Sequence, residues 1–201
     1  MTRIRLKAAL LAPAAFLLLT ACGINSIPTA EEDVKARWAD VENQYQRRAD
    51  LIPNLVATVK GFAAQESDVL TQVTEARARA SSIQVDPDDL DNPEAMRQFG
   101  AAQGELDSAL GRLLVTVEAY PQLTSNQNFL ALQSQLEGTE NRISIARRDY
   151  NQSVQEYNTL IRTFPAVIGA NIFYGAEPMQ PFEATTANAE VAPTVDFGNS
   201  Q

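Results

Sequence analysis

The 201-residue chain predicts an all-α fold, an elongated bundle of three to four long helices lying side by side. Three apolar stripes of helical spacing lead to it. The longest falls in residues 125–164, SNQNFLALQSQLEGTENRISIARRDYNQSVQEYNTLIRTF. Phe129, Leu132, Leu136, Ile143, Ala146, Tyr150, Val154, Tyr157, Ile161 and Phe164 recur there in steps of three and four with one seven, which puts them on one side of a helix. At about 1.5 Å per residue that helix is roughly 60 Å long, and so narrow a seam needs partner helices along its whole length. The second stripe runs Val34, Trp38, Val41, Tyr45, Ile52, Val56, Val59, Ala63, Leu70, Val73 and Ala76. The third runs Met96, Phe99, Leu106, Leu110, Leu113 and Val117.

The chain opens MTRIRLKAALLAPAAFLLLTAC. Arg3, Arg5 and Lys7 precede an apolar run from Ala8 to Leu19. Twelve residues are too few to span about 30 Å of hydrocarbon as a helix and match a signal-peptide core. Leu19-Thr20-Ala21-Cys22-Gly23 resembles the bacterial lipobox, in which the leader is removed and the cysteine acylated. The expectation is a signal peptide over 1–21, lipidation at Cys22 and a short lipidated tether over 22–29. Acyl methylenes buried at ~0.8 kcal/mol each, from more than one chain, hold a protein on a bilayer without a spanning helix. The lipobox resemblance implies a chain facing the periplasm from the inner or outer membrane. Gly23, where inner-membrane retention is associated with aspartate, tilts this toward the outer membrane.

Residues 30–82 form one helical region by pattern, with Thr29 and Glu32 placed as a capping box. Pro53 interrupts it. Proline deletes a helix hydrogen bond, yet the stripe keeps its phase across the position. Continuity with a kink is the preferred reading, and a new helix capped by Asp50 is the other. Trp38 and Tyr45 lie on the stripe as core. Arg47, Arg48 and Asp50 read as a solvated charged face and, with Arg147, Arg148 and Asn151 on the long helix, as a candidate interaction face. Asp86, Asp88, Asp89 and Asp91 crowd the next loop. Without a glycine turn it is no calcium loop, and Asn92 is placed to cap a helix opening at Pro93. That helix, 93–119, is thinned by Gly100, Gly104 and Gly111, and the last two, seven apart, suit a closely packed neighbour. Tyr120-Pro121 ends it, and Ser125 or Asn126 opens the long helix. Asn43, Asn54, Asn141, Asn151 and Asn158 flank the stripes as residues that fix helix register, with an interaction surface for a partner as the other reading. From Gly175 to Gln201 periodicity stops, and a flexible tail is expected, with Phe182 and Phe197 able to pin it to the bundle.

Composition excludes several functions. Net charge is −9 from 16 basic and 25 acidic residues. Removing the three leader bases leaves 13 against 25, or −12, the wrong sign for nucleic acid or for electrostatic binding to anionic lipid. There is no histidine and a single cysteine, so the usual general base, a thiolate zinc site and an intramolecular disulfide are all missing. No phosphate loop or nucleophile elbow occurs. The expectation is a non-enzyme without cofactor or metal.

Two blocks, NQYQRRADLIPNLVATVKGFAAQE over 43–66 and, within 120–174, YPQL, TENRI, ARRDYNQSVQEYN and the Phe164-Pro165 pair, resemble the LemA family of bacterial envelope proteins. The resemblance covers most of residues 30–174. It implies an up-and-down four-helix bundle, tethered to a membrane at its N-terminus and lying outside the cytoplasm, with no catalytic residues to carry over. Relatives usually carry an N-terminal membrane helix, and this chain departs in carrying a lipobox. The function expected is a membrane-anchored periplasmic lipoprotein acting as a scaffold or protein-interaction module for an unidentified envelope partner, its oligomeric state open. The alternative is a ligand-binding or sensor lipoprotein with a cavity between helices. Packed Trp38, Tyr45, Phe99 and Phe129 would count against the alternative.

Overall fold

The structure, a computed structural model, describes residues 25–183. The leader, Cys22, most of the tether and Phe197 lie outside the described residues. Four long helices make the body: α1 (Ser26–Lys60), α2 (Ser67–Ser82), α3 (Pro93–Val117) and α4 (Gln127–Leu160). No strand occurs among the described residues, so the expected all-α fold holds. Cross-helix bonds give the directions. Arg77 of α2 reaches Ala49 of α1, Gln103 of α3 reaches Ala80 of α2, and Arg48 of α1 meets both Asp107 of α3 and Glu140 of α4. Trp38 of α1 packs on Tyr150 of α4. Each helix therefore runs antiparallel to the next, and α4 antiparallel to α1, which is the up-and-down order.

The caps explain where helices start. The Asn92 side chain accepts from the backbone N–H of Glu94 (3.0 Å) and Ala95 (3.3 Å), with Pro93 in the first turn. Asn126 does the same for Asn128 (2.9 Å) and Phe129 (3.2 Å). Such a cap contributes about 1 kcal/mol. Both were expected. The Thr29 box was not realised. Helix α1 already starts at Ser26, and the Thr29 hydroxyl, inside it, donates back to the Asn25 carbonyl at 2.9 Å.

Two boundaries differ from the sequence reading. The region 30–82 is a hairpin: α1 stops at Lys60, Gly61 ends it, and α2 returns along it from Ser67. A three–four spacing looks the same on both arms of a hairpin, so the stripe kept its phase while the chain reversed. Helix α3 ends at Val117, and Pro121–Thr124 forms a separate turn. At Gly111 an added Cβ would meet nothing within 4 Å, so no neighbour approaches closely there.

Helix α1 is continuous through Pro53, so no new helix opens at Asp50. Proline has no N–H, so the carbonyl four residues back, that of buried Ala49, loses its helix partner. The Arg77 guanidinium takes it, with Nε donating to the Ala49 carbonyl at 2.7 Å. The proline thereby ties α2 to α1.

The core falls into two clusters. One gathers Ile52, Leu55, Val59, Leu70, Val73, Leu106, Leu110, Leu113, Val117 and Phe129 from all four helices. The other gathers Ile27, Val34, Trp38, Val41, Tyr45, Met96, Phe99, Tyr150, Val154 and Tyr157 from α1, α3 and α4, with Val85 and Leu90 from the acidic loop and Met179 and Phe182 from the C-terminal segment. Helix α2, only 16 residues long, does not reach this half. The loop replaces it, held by a Trp38 indole N–H to the Val85 carbonyl (3.2 Å) and by Lys35 to Asp88 (2.7 Å). Asp86 caps the short turn Pro87–Asp89.

Candidate functional site: a strapped seam beside a buried arginine

Arg48 follows the exposed Arg47 in sequence but points the other way round α1, and is 1% exposed. Its guanidinium bonds Asp107, Glu140 (3.1 Å) and Gln103 (2.8 Å), and lies 5.0 Å from the Tyr45 ring centre. Gln103, itself buried, passes the link on to the Ala80 carbonyl. One cation therefore joins all four helices at the level that divides the two core clusters. The carboxylates are about half exposed (48% and 56%), so the acids keep part of their hydration while the arginine gives up its own. Burial pushes the Asp107 carboxyl above its usual range, against the pull of Arg48.

Beyond this layer the chain covers its own seam. After α4, the single turn Ala166–Gly169 and a π turn Ala170–Tyr174 lead to Gly175, whose φ of +56° lets the backbone reverse. Residues 176–183 then run back along α4 as a strap. Asn158 grips the Met179 backbone twice, accepting from its N–H (2.9 Å) and donating to its carbonyl (2.8 Å). Asn151 grips Phe182 in the same way at 2.7 and 3.0 Å. Seven helix residues rise about 10.5 Å and three residues of extended chain cover about 10 Å, so the two asparagines read positions 179 and 182 in step. Between them the Tyr150 hydroxyl donates to the Gln180 carbonyl (2.9 Å), and the Gln180 N–H donates to Leu90 (2.9 Å).

The strap inserts one ring. Phe182, 7% exposed, lies 6.4 Å from Trp38, 6.2 Å from Tyr45 and 6.1 Å from Phe99 between ring centres. Arg147 covers it from outside at 4.1 Å and donates to the Glu183 carbonyl at 2.9 Å. Burial pushes the Tyr45 hydroxyl up to about 12 and that of Tyr150 higher still. A groove of about 820 Å³ opens on the other side of the strap, along α2 and α3, lined by Arg79, Arg97, Glu105 and Arg112 around Gly100 and Gly104. Among the described residues no cluster of three or more acids, cysteines or histidines could hold a metal.

The sequence-predicted face is thus divided. Arg147 and Asn151 come together on the strap. Arg47, Asp50 and Arg148 are exposed, Asp50 accepting from Gln46 (2.8 Å) and Arg148 standing 3.5 Å from its neighbour Asp149. Arg48, read as part of a solvated face, is internal. A candidate at the wrong phase of the helix betrays itself: Arg48 sits seven residues from Val41 and three from Tyr45, on the apolar stripe. Sequence reasoning missed Gln103, Asp107 and Glu140 as its partners, and it assigned Asn151 and Asn158 to register rather than to the strap. Asn43, Asn54 and Asn141 are exposed.

The model of the LemA family matches residues 37–197, from inside α1 through the strap. The chain belongs to the LemA family. Its LemA-family relatives include magnetosome protein MamQ 2 of Paramagnetospirillum magneticum, 28% identical over 167 residues, 75% of this chain and 61% of that protein. MamQ of Magnetospirillum gryphiswaldense is 27% identical over 179 residues, 81% of this chain and 66% of that protein. Protein LemA of Metamycoplasma hominis is 22% identical over 140 residues, 70% of this chain and 60% of that protein. The chain thus spans somewhat less than two thirds of the length of these relatives. LemA proteins are membrane-associated envelope proteins, and no helix among the described residues is long and apolar enough to cross a membrane.

Proposed function

We propose that this LemA-family chain is a lipoprotein, anchored through acylated Cys22 on the periplasmic side with the outer membrane favoured, and that its bundle is a non-enzymatic scaffold for another envelope protein. The observation that carries the reading is the filled seam. Trp38, Tyr45, Phe99 and Phe129 are 0–6% exposed, and Phe182 from the chain itself occupies the space where a ligand between helices would sit. That speaks against the sensor alternative and leaves the outer surface to act. The exposed Arg47, Asp50 and Arg148 and the charged groove along α2 and α3 are the surfaces offered.

Two experiments test it. Intact mass of the membrane-extracted chain should show a leaderless, acylated Cys22, and Cys22→Ser should release the protein from membranes; an unmodified Cys22 refutes the anchor. Photo-crosslinkers placed in cells at Arg47, Arg112 and Arg148 should give one discrete adduct from one of these faces and none from the others. No adduct from any face refutes the scaffold.

A further inference from the structure

From Thr163 to Ala176 the chain carries no charged side chain. This stretch forms the end of the rod, where Ala166 and Ala170 pack inward beside Ile27 and Ile161. Its other side faces out. Phe164 is 71% exposed, Ile172 70%, Phe173 67%, Ile168 46% and Tyr174 44%. Among the described residues the other large exposed apolar side chains, Phe62, Val115, Leu130 and Ile145, are scattered over separate elements. Five such residues within eleven form a contiguous patch, and a patch of that kind marks a surface with an apolar partner.

The position of the patch names the partner. The turn Ala166–Gly169 touches α1, and Ile27, in the first turn of α1, is buried in the same cluster. The chain upstream of the described residues therefore leaves from this end. Cys22 precedes Ser26 by four residues, at most about 14 Å of extended chain. Whatever holds Cys22 or the apolar run before it in a bilayer brings the bilayer surface within that reach of Ser26, at the same end of the rod as the patch. We propose that Phe164, Ile168, Ile172, Phe173 and Tyr174 form a second membrane contact, entering the interface of the same bilayer and standing the rod end-on upon it. This rests on the N-terminal anchor proposed above.

The chemistry suits an interface rather than an ionic headgroup contact. Aromatic and branched apolar side chains favour the headgroup boundary. The Asn171 amide donates to the Val167 carbonyl at 2.8 Å, so one of its donors is already matched within the turn. With no cation in the patch and an excess of acids over the chain, binding should gain nothing from anionic lipid.

The test uses the full mature chain, its acylation at Cys22 confirmed by mass, in phosphatidylcholine vesicles with and without brominated lipid. Trp38 is fully buried and serves as the internal baseline. Phe173→Trp should add blue-shifted emission that brominated lipid quenches at least twofold. Val115→Trp, at the opposite end of the rod, should add emission that is not quenched. Adding Ile168→Ser and Ile172→Ser to the Phe173→Trp chain should reduce the quenching while the helical melting midpoint stays put, because all these side chains are exposed. Water-like, unquenched emission from Phe173→Trp on acylated protein overturns the proposal. So does shielding that tracks protein concentration and not lipid, which would assign the patch to a second copy. Failure of the anchor itself appears separately, as an unmodified Cys22 mass.

Discussion

The two halves of the rod solve the same packing problem with different parts. Above Arg48 four helices surround Ile52, Leu55, Val73, Leu106 and Leu113, with Phe129 as the one buried aromatic ring. Below it only α1, α3 and α4 continue, because α2 is much the shortest of the four. The missing fourth side is filled by the loop with Val85 and Leu90 and by the strap with Met179 and Phe182. Neither has a helix stripe to offer, so each contributes a few large side chains, and the rings of Trp38, Tyr45, Phe99, Tyr150 and Phe182 fill the volume. The difference teaches that an irregular segment can replace a helix when its backbone polar groups are met by side chains, which here are Trp38 for the loop and Arg147, Asn151, Asn158 and Tyr150 for the strap.

The strongest way to break the comparison is Phe182→Ala. Removing a buried ring and leaving a cavity costs about 3–5 kcal/mol, read as a fall in the urea midpoint. Next is Arg48→Ala, expected to cost about 2–3 kcal/mol; the carboxylates left behind are half exposed and rehydrate, which keeps the loss below that of a fully buried pair. Arg77→Ala, which orphans the Ala49 carbonyl, should cost about 1–2 kcal/mol. In a Pro53→Ala background the penalty should shrink, because the alanine N–H introduced there would supply the missing bond, and a double-mutant cycle by urea unfolding measures the coupling. Asp107→Asn should cost under about 1 kcal/mol, since that partner is near the surface.

The smallest effect under ordinary conditions is pH. Folding raises the Tyr45 hydroxyl to about 12 and Tyr150 beyond that. A raised pKa means a contribution intact below the unfolded value, near ~10, and lost as pH climbs through the folded one. The melting temperature should be flat toward pH ~10 and then fall, with phenolate absorbance rising in step with loss of helix. Both tyrosines belong to the strapped half, so that half should open first.

Much of this architecture was legible in the sequence. The seams on α1, α3 and α4, except Phe164, which lies beyond the end of α4 and faces out, the caps at Asn92 and Asn126 and the burial of Trp38 and Tyr45 follow from spacing and residue type. The reversal at Gly61 did not show, because apolar periodicity carries no sign of chain direction. Arg48 was hidden by its exposed neighbour Arg47, although its phase on the stripe was available. The strap was the hardest. A flexible tail was expected from Gly175, with Phe182 able to pin it; residues 176–183 are instead held through their backbone and need no pattern of their own, so the rest of the signal lay in two asparagines seven residues apart on α4.

Amide hydrogen exchange on the full-length Phe182→Ala chain tests the central claim, that the strap stands in for a helix in one half only. The account predicts faster exchange in residues 34–45 and 146–158, with residues 52–59 and 106–117 protected as before. Uniform loss across both halves, or no loss beside the strap, would contradict it.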